Sequence, residues 1–349
     1  MIEIKLPDGS KMPFEAPVNG LQIAEKISVN LAKAALATIV DGKVTDLTAP
    51  ITTDATVSIV TTKTPEALEI LRHSTAHTLA MAVEALYPEA KATIGPSIEN
   101  GFYYDFHGIV LKEEDLPKIE AKMAEIVAAD YPIVRSVMPR EEAQTFFAKR
   151  GEPFKVELIR DLPESVKEVS LYTQGDYVEL CRGPHLPRTG LIGKAFKLTK
   201  VAAAYWRGDS NRESLQRVYG TAFWSEKELK AYFELLAEAE KRDHRKIGKA
   251  LDLFFFDPTA PGCPYWLPKG LKMYNLLLDY WRKEHEKAGY QEFAGPLMNS
   301  KVLWETSGHW SHYKDDMYLL TATEMAANEV YALKPMSMWC STSSHPPLM

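Results

Sequence analysis

The stretch between Pro65 and Pro88 narrows the choice of fold more than any other. Leu68, Leu71, Thr75, Leu79, Val83 and Leu86 recur there at helical spacing, the stripe that an amphipathic helix turns toward a core. Thr64-Pro65-Glu66 reads as its start: a capping hydroxyl, proline at the first helical position, and an acid in the first turn. Pro88 disfavours continuation beyond Tyr87. His73 and His77 lie off the stripe on a second face, with Cβ atoms about 5–6 Å apart.

Upstream, residues 1–62 read as a small unit of strands and helix. Ile2, Ile4 and Leu6 alternate, Asp8-Gly9 supplies a tight turn, and Met12 and Phe14 resume the apolar positions. Ile23, Ile27 and Leu31 then predict one helix, and Ala37–Val40, the turn at Asp41-Gly42 and Val57–Val60 predict further strands. A helix crossing so short a sheet points to a β-grasp module, which by itself carries no chemistry. Downstream, residues 63–224 mix helix and strand signals as a larger α+β domain does, and 163–211, rich in Gly, Pro and Tyr, is expected to supply the loops of a site. Ser225 with Glu228 is a capping box that opens a helix over 225–248, with Leu229, Tyr232, Phe233, Leu236 and Ala239 on one face. From 249 a third region begins, with a strand at Leu253–Phe256, an amphipathic helix over Lys272–Lys287, and a strand over Gln291–Pro296.

A chain of 349 residues with 46% apolar and 25% charged residues can bury several cores. No run of apolar residues is long enough to span a membrane, and Met1–Lys5 does not open a secretory signal. Cys181, Cys263 and Cys340 are odd in number and far apart, which suits a reducing, cytoplasmic setting better than a disulfide framework. The net charge of −6 argues against indiscriminate coating of nucleic acid. Basic residues nonetheless crowd one short stretch, Lys241, Arg242, His244, Arg245, Lys246 and Lys249, either a solvated helix face or an RNA contact.

Among nine histidines in 349 residues, a pair four apart arises by chance in roughly one chain of five, so the spacing alone identifies little. Cys181 and His185 add weight, because Gly183-Pro184 between them rules out a helix and implies a turn presenting both side chains. Two such pairs could hold a tetrahedral zinc, or hold a water for attack on a bound ester, with Lys155 and Glu179 positioning that water or stabilising charge. A metallopeptidase helix is a poor reading, since Ser74 stands where the glutamate beside the first histidine is required.

The strings RHSTAH (72–77), IGPSIENGFYYD (94–105), GEPFKVEL (151–158), CRGPHLP (181–187), AYWRGDSN (204–211), RDHRKIGKALDL (242–253) and LWETSGHW (303–310) occur in an order that resembles the threonyl-tRNA synthetases. The resemblance covers residues 1–336 and implies a multidomain α+β chain. Its parts would be a TGS (β-grasp) domain over 1–62, an editing domain over 63–224, a helical linker over 225–248, and the start of an antiparallel class II core over 249–336. It implies that His73, His77, Cys181 and His185 line an editing pocket, with Lys155 and Glu179 handling water; Glu179 stands where some relatives carry aspartate. It implies that Tyr104, Tyr205, Arg207, Asp209 and Asn211 hold the 3′ end of tRNA(Thr). The expected partners are that tRNA and a second copy, which in the family pairs through the motif 1 region. The expected cofactors are ATP, magnesium and one zinc in the synthetic core, with zinc in the editing pocket the less favoured alternative to ordered water. A non-catalytic RNA- or partner-binding role, through the TGS module and the basic linker, is the competing expectation.

After Lys334-Pro335-Met336 the pattern departs from the family. Met338 occupies the position expected for a zinc-ligating cysteine, Cys340 comes two residues late, and 337–349 reads as an aberrant, frameshifted or prematurely ended tail. On that reading the chain lacks most of the synthetic core and does not make threonyl-adenylate.

Overall fold

A computed structural model describes residues 1–292, 295–320 and 330–334. The chain divides into two compact units, Met1–Lys241 and Arg242–Met349.

In the first unit, β1 (Ile2–Lys5) and β2 (Lys11–Phe14) form the hairpin that the alternation predicts, with Ile2 opposite Phe14. The single helix expected across Ile23, Ile27 and Leu31 is instead two, α1 (Gly20–Ile27) and α2 (Val29–Ala34). Ser28 breaks them apart. Its extended backbone closes α1 through an N–H to Ala24 O, and its hydroxyl accepts from Leu31 N to open α2. Then follow β3 (Ala37–Val40), β4 (Lys43–Asp46) and β5 (Ala55–Val60), giving a sheet ordered β2-β1-β5-β3-β4 with β1 and β5 parallel.

The long helix, α3, runs Ala67–Leu86. Thr64 does not cap it: its hydroxyl accepts from the Thr61 N–H, and the helix opens at Glu66 with no side-chain cap. Nor is one stripe buried. Ile70, Leu71, Ser74, Thr75, Ala76, His77, Thr78, Leu79, Ala80, Ala82 and Val83 are all buried. The small side chains at 74, 76, 80 and 82 let neighbours close in on the other faces.

Those neighbours come from β6 (Lys91–Ala92), β7 (Ser97–Ile98), β8 (Gly101–His107) and α4 (Leu116–Ala129). They continue through β9 (Ile133–Pro139), α5 (Arg140–Lys149), α6 (Pro153–Arg160), β10 (Glu168–Gln174), β11 (Tyr177–Leu180), β12 (Phe196–Tyr205) and β13 (Ser214–Ala222). One antiparallel sheet is ordered β12-β13-β8-β6, with β7 on β8, and a second is ordered β11-β10-β9. The stretch 163–211 carries three strands as well as the expected loops, and the irregular segment that matters is 181–188. One core joins Leu36, Ala37 and Val60 of the first sheet to α3, to Phe102, Tyr104 and Phe106 of β8, and to Ile119 and Met123 of α4. The unit ends with α7 (Glu226–Lys241), opened by Ser225 Oγ accepting from Glu228 N, while Glu228 accepts from Trp224 N.

The second unit holds α8 (His244–Ala250), β14 (Phe254–Phe256), β15 (Pro264–Trp266) and α9 (Pro268–Lys287). The last starts at Pro268 rather than Lys272 because proline suits the first helical turn. Of the strand expected over Gln291–Pro296, residues 293 and 294 lie outside the described residues and the flanking positions carry no strand. Further on come β16 (Met298–Ser300), α10 (Lys301–Thr306), α11 (His309–Tyr313), β17 (Leu319–Leu320) and β18 (Tyr331–Leu333). The tail 337–349, with Met338 and Cys340, lies outside the described residues. Among the described residues, no helix is long and apolar enough to cross a membrane.

Candidate functional site

The i, i+4 spacing sets His73 and His77 one turn apart on α3, with ring centroids 5.1 Å apart. The segment after β11 folds over that turn and delivers Cys181 and His185. His185 stacks between the two helix rings, at 4.2 Å from His73 and 4.1 Å from His77. Cys181 Sγ lies 3.2 Å from His73 Nε2 and 3.4 Å from His185 Nε2. One donor atom from each of the four residues lies within 4.8 Å of the others. The sequence expectation that a helix and a distant turn meet is met. Gly183 makes the turn possible: its φ is +69°, and a Cβ there would stand 1.8 Å from the Tyr172 hydroxyl.

Ser74, between the two histidines, orients the third. Its hydroxyl accepts the Leu186 N–H at 2.9 Å and lies 3.2 Å from His185 Nδ1. A hydroxyl that spends its proton on Nδ1 leaves His185 Nε2–H to face Cys181. Burial sets the charge state of the cluster. It pushes His73 down to about 4 and holds His77 and His185 well below the usual histidine value, with the neighbouring rings adding to the effect on the last two. The same burial pushes the Cys181 thiol up to about 12. At neutral pH the site is thus three uncharged imidazoles and a thiol.

Beside this cluster lies a cleft of about 700 Å³. His73, His77 and Cys181 line it with Thr93–Pro96 and Tyr104 on one side, and Leu158, Leu162, Val166 and Leu180 on another. A Cβ at Gly95 would stand 2.0 Å from the Tyr104 ring, so only glycine lets this wall lie flat on the tyrosine.

Lys155 and Glu179, expected to handle water, are not among the lining residues. Both are buried and lie 3.4 Å apart, and Glu152 meets the same ammonium at 3.4 Å. Burial works against the Lys155 charge, but Glu179, Glu152 and Glu84 outweigh it and hold the ammonium above its ordinary value. Glu179 also accepts from Leu180 N, from Tyr104 Oη at 2.7 Å and from Tyr177 Oη. Burial and Glu179 together keep the Tyr104 phenol protonated. The ion pair therefore reaches the cleft through Tyr104, whose ring centroid is 6.5 Å from that of His77.

Tyr205, Arg207, Asp209 and Asn211 do not line the cleft either. Tyr205 ends β12 and the others occupy the turn before β13, which is clamped onto α6: Arg212 makes two 2.8 Å bonds to Glu157, Arg207 meets Glu157 and Asp161, and Trp206 Nε1 donates to Glu157 at 3.0 Å. Asp209 accepts from Asn211 within the turn. Sequence reasoning missed Asp46, Ser74, Tyr172, Tyr177 and Glu157. Of these, Tyr177 was within reach, since a strand places it on the same face as Glu179.

With this geometry established, comparison with known proteins is informative. Residues 2–61 match the model of the TGS domain, and residues 169–219 match the "Threonyl and Alanyl tRNA synthetase second additional domain". The chain is 51% identical over 341 residues to the threonine–tRNA ligase of Rhodospirillum rubrum, covering 97% of this chain and 52% of that protein. It is 51% identical over 338 residues to the one from Polynucleobacter necessarius (97% and 52%), and 49% identical over 337 residues to the one from Desulfosudis oleivorans (97% and 52%). A solved RNA-binding domain of a Cryptosporidium parvum threonyl-tRNA synthetase is 42% identical over 27% of this chain and 23% of that one, with a TM-score of 0.25, an overlap too small to decide anything. The chain spans about half the length of the curated relatives it matches.

Proposed function

The chain belongs to the threonyl-tRNA synthetase family, and from that premise we propose that the cleft lined by His73, His77 and Cys181, with His185 packed against them, hydrolyses the ester of tRNA(Thr) mischarged with serine. The carrying observation is that four nitrogen and sulfur side chains converge within 4.8 Å and that three of them, His73, His77 and Cys181, line the cleft, with His185 packed against them.

The need for such a site follows from magnitudes. Serine lacks one methyl group of threonine, and a missing methylene is worth only about 1–3 kcal/mol of discrimination. A second pocket, too tight for that methyl, supplies the rest by hydrolysis. Uncharged imidazoles suit this work: they can accept a proton from a water and orient it against the ester carbonyl, where a cationic ring could only donate. Tyr104, pinned to Glu179, shapes the side of the cleft, and the buried Lys155 holds Glu179 in place behind it. The 205–211 turn contributes by holding α6, which carries Lys155 and the lining residue Leu158.

The same four donors fit a divalent zinc ion, since neutral imidazoles and a cysteine thiolate are ligands it prefers; binding would release the Cys181 thiol proton, and such an ion would supply Lewis acidity. Water orientation by the side chains themselves is the reading proposed here. Metal analysis of the protein that is active in the assay separates the two.

The test compares hydrolysis of serine and threonine esters of tRNA by the 349-residue chain. Faster loss of the serine ester is expected. His73→Ala with Cys181→Ala should abolish that loss while tRNA binding is retained. Tight RNA binding with no hydrolysis by the unaltered chain would hand the site to the binding reading. ATP-dependent attachment of threonine is not proposed for these residues alone, since by resemblance its ATP-binding arginines belong to the half of the relatives that the chain does not span. ATP–pyrophosphate exchange above background would overturn that. By the same resemblance, the proposed partners are tRNA(Thr) and a second copy meeting at the motif 1 region.

A further inference from the structure

Asp46 ends β4, the edge strand of the N-terminal sheet, yet its carboxylate serves the neighbouring fold. Tyr172 Oη on β10 donates to Asp46 Oδ2 at 2.6 Å, and the backbone N–H of His185 donates to Asp46 Oδ1 at 3.0 Å. Arg135 on β9 stands 3.8 Å from the same group, and the Asp46 side chain is only 14% exposed. One carboxylate thus ties a strand and the turn that presents Cys181 and His185.

The tie is short and stiff. Tyr172 fills the space a side chain at Gly183 would need, and its ring meets the His185 ring edge-on at 4.5 Å between centroids. Holding the Tyr172 hydroxyl therefore holds both Gly183 and the imidazole, while the second oxygen holds the His185 backbone directly. Val44, on the same strand, rims a small cavity with His73, Gly183 and Pro184. The N-terminal sheet is in this way part of the wall behind the site.

We propose that Asp46 is a positioning residue for the hydrolytic site, so that the site is built jointly by the TGS module and the domain that follows it. This rests on the hydrolytic reading above and assigns the TGS module a task in the chemistry besides any contact with RNA.

The experiment uses the full 349-residue chain with Asp46→Ala, Asp46→Asn and Tyr172→Phe. It measures kcat and KM on serine-charged tRNA, the thermal midpoint, and the rate of Cys181 alkylation by iodoacetamide, followed on the Cys181 peptide by mass spectrometry. Displacing reacting groups by about an ångström costs on the order of 10²-fold in rate, and Asp46→Ala should lower kcat by that order with KM little changed. Cys181 should alkylate faster in the same variant. Asp46→Asn keeps an oxygen for the His185 N–H and offers an amide N–H to the Tyr172 oxygen, so it should restore most of both. A purely structural role would follow the thermal midpoint instead and show no such rescue. Wild-type kcat and wild-type alkylation in Asp46→Ala would overturn the proposal. If the unaltered chain does not hydrolyse the serine ester, the hydrolytic reading fails, and the alkylation series still decides whether Asp46 sets the turn. If Asp46→Ala does not fold, Tyr172→Phe, which removes one bond and keeps the ring, should change both readouts in the same direction by less; unchanged values there overturn the proposal as well.

Discussion

Two helices of twenty residues each, α3 and α9, show how differently one kind of sequence signal can be used. Helix α9 has the cleaner amphipathic pattern, yet among the described residues it buries only Gly270, and Leu271, Tyr274, Leu277 and Trp281 remain exposed. Helix α3 has the weaker pattern and is buried on almost every side, because the N-terminal sheet, the β8 sheet and α4 all close on it. The difference is chemical as well as structural. The histidines on α3 are held neutral by the surroundings that bury them. Periodicity reports which face seeks cover; it does not report what arrives to cover it.

The comparison can be broken most severely at Lys155. Lys155→Met leaves Glu179 buried without its cation and Glu152 with Lys91 alone, and removal of one partner from a buried pair costs about 3–5 kcal/mol. Urea unfolding of the first unit should show that loss; an unchanged midpoint would mean that the carboxylates find other compensation. Next in size is Leu79→Ala at the fully buried middle of α3, where a large-to-small change costs about 2–5 kcal/mol. Amide hydrogen exchange along α3 should accelerate accordingly, and no change would show that the layers around it collapse to fill the gap.

A pH titration sharpens the contrast between the buried cluster and the clamped turn. Hydrogen bonds from Arg212 and Trp206 hold Glu157 down to about 2 from an ordinary 4.5. A depressed acid stabilises the fold fully above its unfolded value and loses that contribution as pH falls through its folded one. Docking of the 205–212 turn on α6 should therefore weaken between about pH 4.5 and 2, seen as faster exchange of the Trp206 and Asp209 amides. Glu157→Gln should flatten that dependence; a profile that keeps its shape in the variant would assign it to another group. The smallest effect belongs to α9: Leu277, 67% exposed, should tolerate alanine within about 0.5 kcal/mol. A larger loss at low protein concentration would reveal cover for that face within the chain.

Much of the site was legible because its parts are local. The four-residue spacing of His73 and His77, the helix-breaking Gly183-Pro184 between Cys181 and His185, and the capping pair Ser225 and Glu228 each act within one turn of chain. Errors arose where two local options compete. Thr64 has a capping hydroxyl but turns it to Thr61, and Ser28 splits a helix that the apolar spacing alone would run through. Local pattern says nothing of the depth of Lys155 and Glu179; the packing sets both off the cleft wall, with Tyr104 between Glu179 and the cleft.

The sequence by itself determined the elements, the pairing of reactive residues within each element, and the family to which their order corresponds. Tertiary structure alone decided that Asp46 touches a residue 139 positions away and that Ser74 sets the orientation of His185. It also decided that three imidazoles cluster uncharged. The reason is that backbone periodicity is set by neighbours a few residues apart, whereas contacts and local dielectric depend on how whole layers dock.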